Sequence, residues 1–230
     1  MVVMGLGAMV LLLAAALAMS EPPRPAATNG PAATPGPGFA EARRSRVFWT
    51  LCAVQFCFFP SLLTVPLHLP AHGTDMGLAP GQAAVLLSLI GEASVAGPLA
   101  IGRLADTIGG RRAFALSLAG LVAALAALTL IQSPAALFAI VPLYGFSHGA
   151  LFVVVSPTVA EYFGMRALGA IFGAILFSGT LGAAVGPILA GMLFDATGSY
   201  ALAFGTLAAM AGLALGLVLS LPRRGTVPAL

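Results

Sequence analysis

Read only as hydrophobic and polar positions, the chain is a series of long apolar runs rich in Ala, Leu and Gly, separated by short polar breaks. The runs fall near residues 2–19, 47–69, 81–103, 113–131, 135–161, 168–194 and 200–221. Each is close to the ~20 residues that an α-helix needs to cross a hydrocarbon core about 30 Å thick. No segment alternates apolar and polar residues as a barrel strand would, and helices are the other structure that satisfies its backbone within lipid. The pattern predicts an all-α polytopic membrane protein of about seven transmembrane helices.

Composition agrees with the pattern. The chain is 60% hydrophobic and only 7% charged, with a mean hydropathy of +1.04, which is too apolar to cover a soluble surface. The basic residues are ten Arg and no Lys. If the segment after the first span is cytoplasmic, Arg24, Arg43, Arg44 and Arg46 lie there. Arg103, Arg111, Arg112 and Arg166 then fall in cytoplasmic loops, and Arg223 and Arg224 in a cytoplasmic tail. The opposite loops, "PAHGTDMGLAP", "QSP" and "DATGS", contain no Arg. That asymmetry is the positive-inside pattern, so the net charge of +3 reports orientation in a bilayer and gives no reason to expect a nucleic-acid partner. The expected location is an integral membrane protein, as in a bacterial inner membrane.

Four regions follow: a first membrane helix over residues 1–20, a linker over 21–46, a six-helix unit over 47–221 and a tail over 222–230. The first run lacks the positive n-region of a signal peptide and is longer than a usual h-region. The linker, "EPPRPAATNGPAATPGPGFAEARRSR", has the Pro, Gly and Ala content of a flexible connector. Cys52 and Cys57 share one apolar run without metal-ligand spacing and read as small core residues.

The six-helix unit repeats itself. "GPLAIGRLADTIG", Gly97 to Gly109, returns as "GPILAGMLFDATG", Gly186 to Gly198. Gly97, Pro98, Gly102, Leu104, Asp106 and Gly109 match Gly186, Pro187, Gly191, Leu193, Asp195 and Gly198 at one constant offset. The same offset superposes residues 47–131 on 135–221, three spans on three. Three is odd, so the second trio runs through the membrane upside down, and the basic residues agree: the stretch ending at Gly109 runs into Arg111 and Arg112, the one ending at Gly198 into Ser199 and Tyr200. Inverted three-helix repeats are a feature of secondary transporters. Pro98 and Pro187 are expected to kink a matched pair of helices, with Gly186 and Gly191 packing beside the second kink.

The loop between the second and third spans of the first copy, "IGRLADTIGGRR", concentrates charge. Gly102 removes a side chain where another helix can approach, and Gly109 permits a tight turn. Asp106 can pair with Arg111 or Arg112, or sit at the positive end of a neighbouring helix. Such a clasp forms in one conformation and breaks in another, which suits a gate; the bland reading is a hydrophilic turn with orienting arginines.

"GRLADTIGGRR" resembles the signature loop of the major facilitator superfamily. Residues 161–204 resemble the last helices of its monocarboxylate and oxalate/formate branch, and "EARRSRVFWTL", Glu41 to Leu51, the entry into that branch's seventh helix. The resemblance implies a twelve-helix fold of which this chain holds the sixth helix, the central linker and the C-terminal half, the N-terminal half being absent or supplied by a partner or a second protomer. It implies a permease moving a small solute, such as an organic anion, by alternating access, with proton coupling as an option and no enzyme activity, cofactor or metal. The branch usually carries an Arg on its eighth helix shortly before the signature loop; Gly97 and Pro98 stand in that region here, which weakens the case for a carboxylate substrate.

Two ionisable residues fall near mid-span, where they default to a functional reading: Glu92, as proton carrier or cation contact, and His148, as substrate contact or proton relay. A protonated Glu92 bonded to a neighbouring helix and a neutral His148 satisfied by a carbonyl are the structural alternatives. His68 and Asp75 are expected to be solvated. "GFSHG", Gly145 to Gly149, matches the G-x-S-x-G hydrolase pattern, but it lies inside a helix-length apolar run, where Ser147 and His148 diverge by about 100°. A non-transporting membrane remnant and an intramembrane serine protease are the competing functions.

Overall fold

The computed structural model describes residues 36–222 together with Met9, Leu13, Ala14 and Leu17. Apart from those four positions, the predicted helix over 1–20 lies outside the described residues, as do most of the linker and the tail beyond residue 222. Six helices long and apolar enough to cross a membrane follow: α1 (Arg46–Asp75), α2 (Pro80–Ile108), α3 (Gly110–Leu130), α4 (Pro134–Phe163), α5 (Leu168–Thr197) and α6 (Ala201–Ser220). No strand occurs among the described residues. Two of the six, α1 and α2, exceed their apolar runs by more than a turn, because a helix continues past the hydrocarbon boundary until a cap or breaker stops it.

Those stops are local. Ser45 accepts a hydrogen bond from Phe48 N at the start of α1, and Ser133 accepts one from Ala136 N at the start of α4. Pro80 and Pro134 occupy the first turns of α2 and α4, where their missing N–H costs nothing. Gly109 and Gly198, matched in the repeat, both have positive φ, +85° and +67°. They turn the chain where a side chain would be strained. The end of the predicted linker is ordered: Phe39–Ala42 forms one helical turn, Ala42 is buried, and Phe39 packs edge-on against Phe48 of α1.

α2 packs chiefly on α4 and α5 chiefly on α1, while α3 packs on α4 and α6, and α6 on α1. Exchanging α1 with α4, α2 with α5 and α3 with α6 turns this neighbour pattern into itself, so the two trios form one pseudo-symmetric bundle. Its core holds Phe58 and Phe114 edge to face, with Tyr144 and Phe204, all fully buried. The fully buried Tyr144 hydroxyl donates to Ser61 O at 2.8 Å, tying α4 to α1. Only 22% of the apolar stretch is buried in each of α2 and α5, against 61% in α1. These two helices therefore each present a broad face that nothing else in the described chain covers.

Candidate translocation site

The α2–α4 and α1–α5 contacts place the site, and glycine makes both possible. A Cβ at Gly97 would strike Phe146 O and come within 2.8 Å of Ala150 N on α4; one at Gly186 would come within 2.9 Å of Pro60 on α1. The close approaches thus belong to the first glycine of each repeated stretch. At Gly102 a Cβ would make ordinary contact with Val153, and at Gly191 it would meet nothing within 4 Å. The packing expected at Gly102 and Gly191 is therefore displaced: both sit more than a helical turn beyond the crossing point.

Prolines complete the pattern. Pro98 lies inside α2 and Pro60 inside α1, and each lacks the N–H that would bond the carbonyl four residues earlier, Ser94 O and Phe56 O. Gly149 packs directly on Ser94 O, and Gly182 on Phe56 O. Each released carbonyl is covered by the bare backbone of the facing helix instead of being left open in the membrane.

His148 sits at the α2–α4 contact. The Ser94 hydroxyl donates to Gly145 O at 3.0 Å and lies 3.2 Å from His148 Nδ1. Tyr144 and Phe152 flank the imidazole on its own helix, with ring centroids 5.8 and 5.3 Å away. Ser147 points elsewhere: it is buried, and a Cβ on Gly120 of α3 would lie 2.5 Å from its hydroxyl. Ser147 and His148 thus face different helices, and the imidazole's hydroxyl neighbour is Ser94.

Glu92 is not brought to His148. It lies two residues from Ser94, about 200° round α2, and is exposed in line with Ser88, Val95 and Leu99 on the uncovered face. The matching face of α5 carries Phe177, Leu181, Val185 and Ile188, all exposed and none ionisable.

At the arginine-rich end, the turn between α2 and α3 consists of Gly109 alone. A Cβ at Gly110 would come within 2.8 Å of the Thr158 hydroxyl, so α3 starts hard against α4. The hydrogen bonds of Arg111 go to the carbonyls of Val218 and Leu219 at the end of α6, not to Asp106, which is exposed, as is Arg112. A cation on the open carbonyls of a helix C-terminus is a favourable pairing. The carboxylate at the α3 N-terminus is Glu161, whose Oε1 accepts from Gly110 N at 2.7 Å, and Tyr162 beside it donates to Pro222 O at 2.7 Å. The clasp expected around Asp106 is thus replaced by one joining α3, α4 and the end of α6. Glu161→Ala should lower the thermal stability of the purified chain by about 1–2 kcal/mol, with Glu161→Gln losing less; equal stability of all three in detergent would remove the clasp's structural role.

At the opposite end His68 is packed rather than solvated, its Nδ1 being 3.4 Å from the Tyr200 hydroxyl. His72, Phe194 and Phe204 also stack on or edge against Tyr200. Burial, reinforced by Asp75 and Asp195, pushes the Tyr200 hydroxyl above its usual pKa. Asp75 itself is exposed. One central polar residue escaped sequence reasoning: Gln55 of α1 is fully buried, and neither amide atom finds a partner among the described residues. It is uncharged and so lacks the mark of a mid-span ionisable group; the lone amide in "AVQFCFF" is its signal in the sequence.

The family model described as Major Facilitator Superfamily matches residues 1–141 and 69–229. The chain belongs to the major facilitator superfamily, on the side of its monocarboxylate-transporter-like members. It is 32% identical to monocarboxylate transporter 13 of Bos taurus over 159 residues, 67% of this chain and 37% of that protein. It is 30% identical to monocarboxylate transporter 12 of Rattus norvegicus over 147 residues, 60% of this chain and 29% of that protein. The match thus spans 37% and 29% of the length of these two relatives. Its fold matches that of the E. coli fucose:proton symporter with a TM-score of 0.71 at 17% identity, covering 92% of this chain and 52% of the symporter. It matches a peptide transporter with a TM-score of 0.69 at 24% identity, covering 82% of this chain and 40% of that one.

Proposed function

We propose that residues 47–221 form the C-terminal half of a secondary transporter that carries a small organic solute together with a proton by alternating access. In this reading the segment over 1–20 is the sixth helix of the whole and residues 21–46 its central linker. The arginine-rich end faces the cytoplasm, as the positive-inside pattern favours.

The observation that carries the reading is Glu92. A carboxylate exposed near the middle of a membrane helix is costly against lipid and is kept where it meets a water-filled cavity or a partner. Glu92 stands on the face of α2 that no described helix covers, where such a cavity would open between two transporter halves. The arginines of the described residues sit at one end of the bundle, so the mid-span charge is negative. That sign suits a proton or other cation and gives no counter-ion for a carboxylate, so an organic acid would travel here with its charge neutralised by the proton. Glu92 is the proton carrier, and His148 with Ser94 lines the pathway at the α2–α4 crossing. The relatives named as monocarboxylate transporters and the symporter of like fold are consistent with this coupling.

The test is uptake by vesicles holding this chain alone, and by vesicles holding it with a separately expressed six-helix N-terminal half. Solute-driven acidification of the lumen is expected in the second preparation; its absence in both, with the protein folded, would leave the remnant reading standing. Orientation is checked with single cysteines at Arg166 and Ser199: in intact cells an impermeant thiol reagent should label only the latter, and labelling of both from one face would overturn the inverted topology.

A further inference from the structure

Where α1 begins, its flank and that of α6 enclose an open groove of about 360 Å3. Arg44 and Arg46 mark its polar end, Trp49 stands beside them, and Thr50, Ala53 and Leu217 continue it along the apolar sides of the two helices. Trp49 is 64% exposed, yet its indole is fixed: Nε1 donates to Arg43 O at 2.8 Å, and Phe48 packs edge-on against it at 5.4 Å. Arg43, Arg44 and Arg46 are all exposed, and Glu41 is the one acid between Phe39 and Trp49. The Arg111 guanidinium, at the same end of the bundle, is by contrast taken up by α6 carbonyls.

This combination has a specific chemical complement. Two arginines lining one groove favour a phosphate, which guanidiniums bind through charge-assisted, directional hydrogen bonds. A tryptophan held at the start of a membrane helix marks the level of the headgroups. A soluble phosphate would use only the arginine rim, whereas the groove runs on from that rim between two transmembrane helices and ends on alkyl surface. We propose that the groove binds an anionic phospholipid, with the phosphate on Arg44 and Arg46 and one acyl chain lying along Trp49, Ala53 and Leu217. Basic pockets between membrane helices are a recurrent place for such headgroups. The lipid would rest against the turn that enters α1 and against α6 near its end, bridging the first and last helices of the bundle.

The chain contains a single tryptophan, so its fluorescence reports on this groove directly. The full 230-residue chain is reconstituted in phosphatidylcholine vesicles containing either brominated phosphatidylglycerol or the same fraction of brominated phosphatidylcholine. Quenching should be stronger with the anionic lipid. The double variant Arg44→Gln/Arg46→Gln should lose that preference, a roughly tenfold to thirtyfold fall in relative affinity for two arginines near the surface. Arg166→Gln, at the same end but outside the groove, should keep it, and added soluble glycerophosphoglycerol should not relieve the quenching. Equal quenching by the two lipids in the unmodified chain, or a preference that survives in the double variant, would overturn the proposal. Loss of the preference in Arg166→Gln as well would reduce it to bulk surface charge and so also overturn it. Relief by the soluble headgroup would transfer the site to soluble anions.

Discussion

Gly149→Ala should destabilise the folded chain by about 2–4 kcal/mol, whereas Gly191→Ala should leave it unchanged or gain up to about 1 kcal/mol. The two substitutions add the same methyl group to the middle of a long helix, where alanine is intrinsically the better residue. What separates them is the space beyond Cα. At Gly149 the methyl would run into Ser94 O, with Ser94 C and Cα at 2.8 Å. These are backbone atoms, and they cannot swing away as the end of a flexible side chain would. Relief requires α2 and α4 to separate. Separation breaks the approaches at Gly97 and Gly145 as well, because all three glycines share one contact. It also uncovers Ser94 O, the carbonyl that Pro98 leaves without its helical donor. At Gly191 the methyl meets nothing within 4 Å. Thermal unfolding in detergent, followed by helical dichroism, measures both variants; equal midpoints would show that the α2–α4 contact is looser than the glycines indicate.

The same comparison shows where sequence reasoning reaches and where it stops. The membrane spans were legible because crossing a bilayer demands a length of apolar chain, a one-dimensional property that survives without coordinates. The inverted trios were legible because six residues return at one offset, and Gly109 and Gly198 indeed share the positive φ that a short turn requires. The rotation of each helix about its axis was not legible. The residues on either side of the helix crossing look alike in the sequence, so Gly102 and Gly191 were as plausible as Gly97 and Gly186 until the facing backbones were placed. Long-range partners were hidden for a related reason. Arg111 has Asp106 five residues away and two further carboxylates in the wider repeat, but its partners are carbonyls more than a hundred residues on, and backbone carbonyls carry no residue-type signal. Glu161 looked like the polar end of a span, yet it occupies the role at the α3 N-terminus that Asp106 was expected to fill. Glu92 was found because a mid-span carboxylate is conspicuous by its cost. That it faces away from His148 depended on which side of α2 meets α4.

Glu92→Gln should therefore abolish proton-coupled uptake, by at least about tenfold in rate, without disturbing the fold. Glutamine keeps the shape and hydrogen-bonding capacity of a protonated carboxyl but cannot release or capture a proton. Because position 92 is exposed on the face of α2 that no described helix covers, the change removes no buried packing among the described residues, and stability should move by no more than about 0.5 kcal/mol. Coupling and translocation then separate. In vesicles holding both halves, acidification driven by a solute gradient should disappear and uptake should lose its pH dependence, while exchange of labelled for unlabelled solute persists, since exchange needs no net proton movement. Ser94→Ala provides the contrast: it removes the hydroxyl beside His148 Nδ1 but leaves the carboxylate, so it should weaken solute binding and preserve the coupling ratio. If Glu92→Gln kept the pH dependence and Ser94→Ala lost it, the proton would be carried at the α2–α4 crossing by His148, and the uncovered face of α2 would serve only to meet its partner.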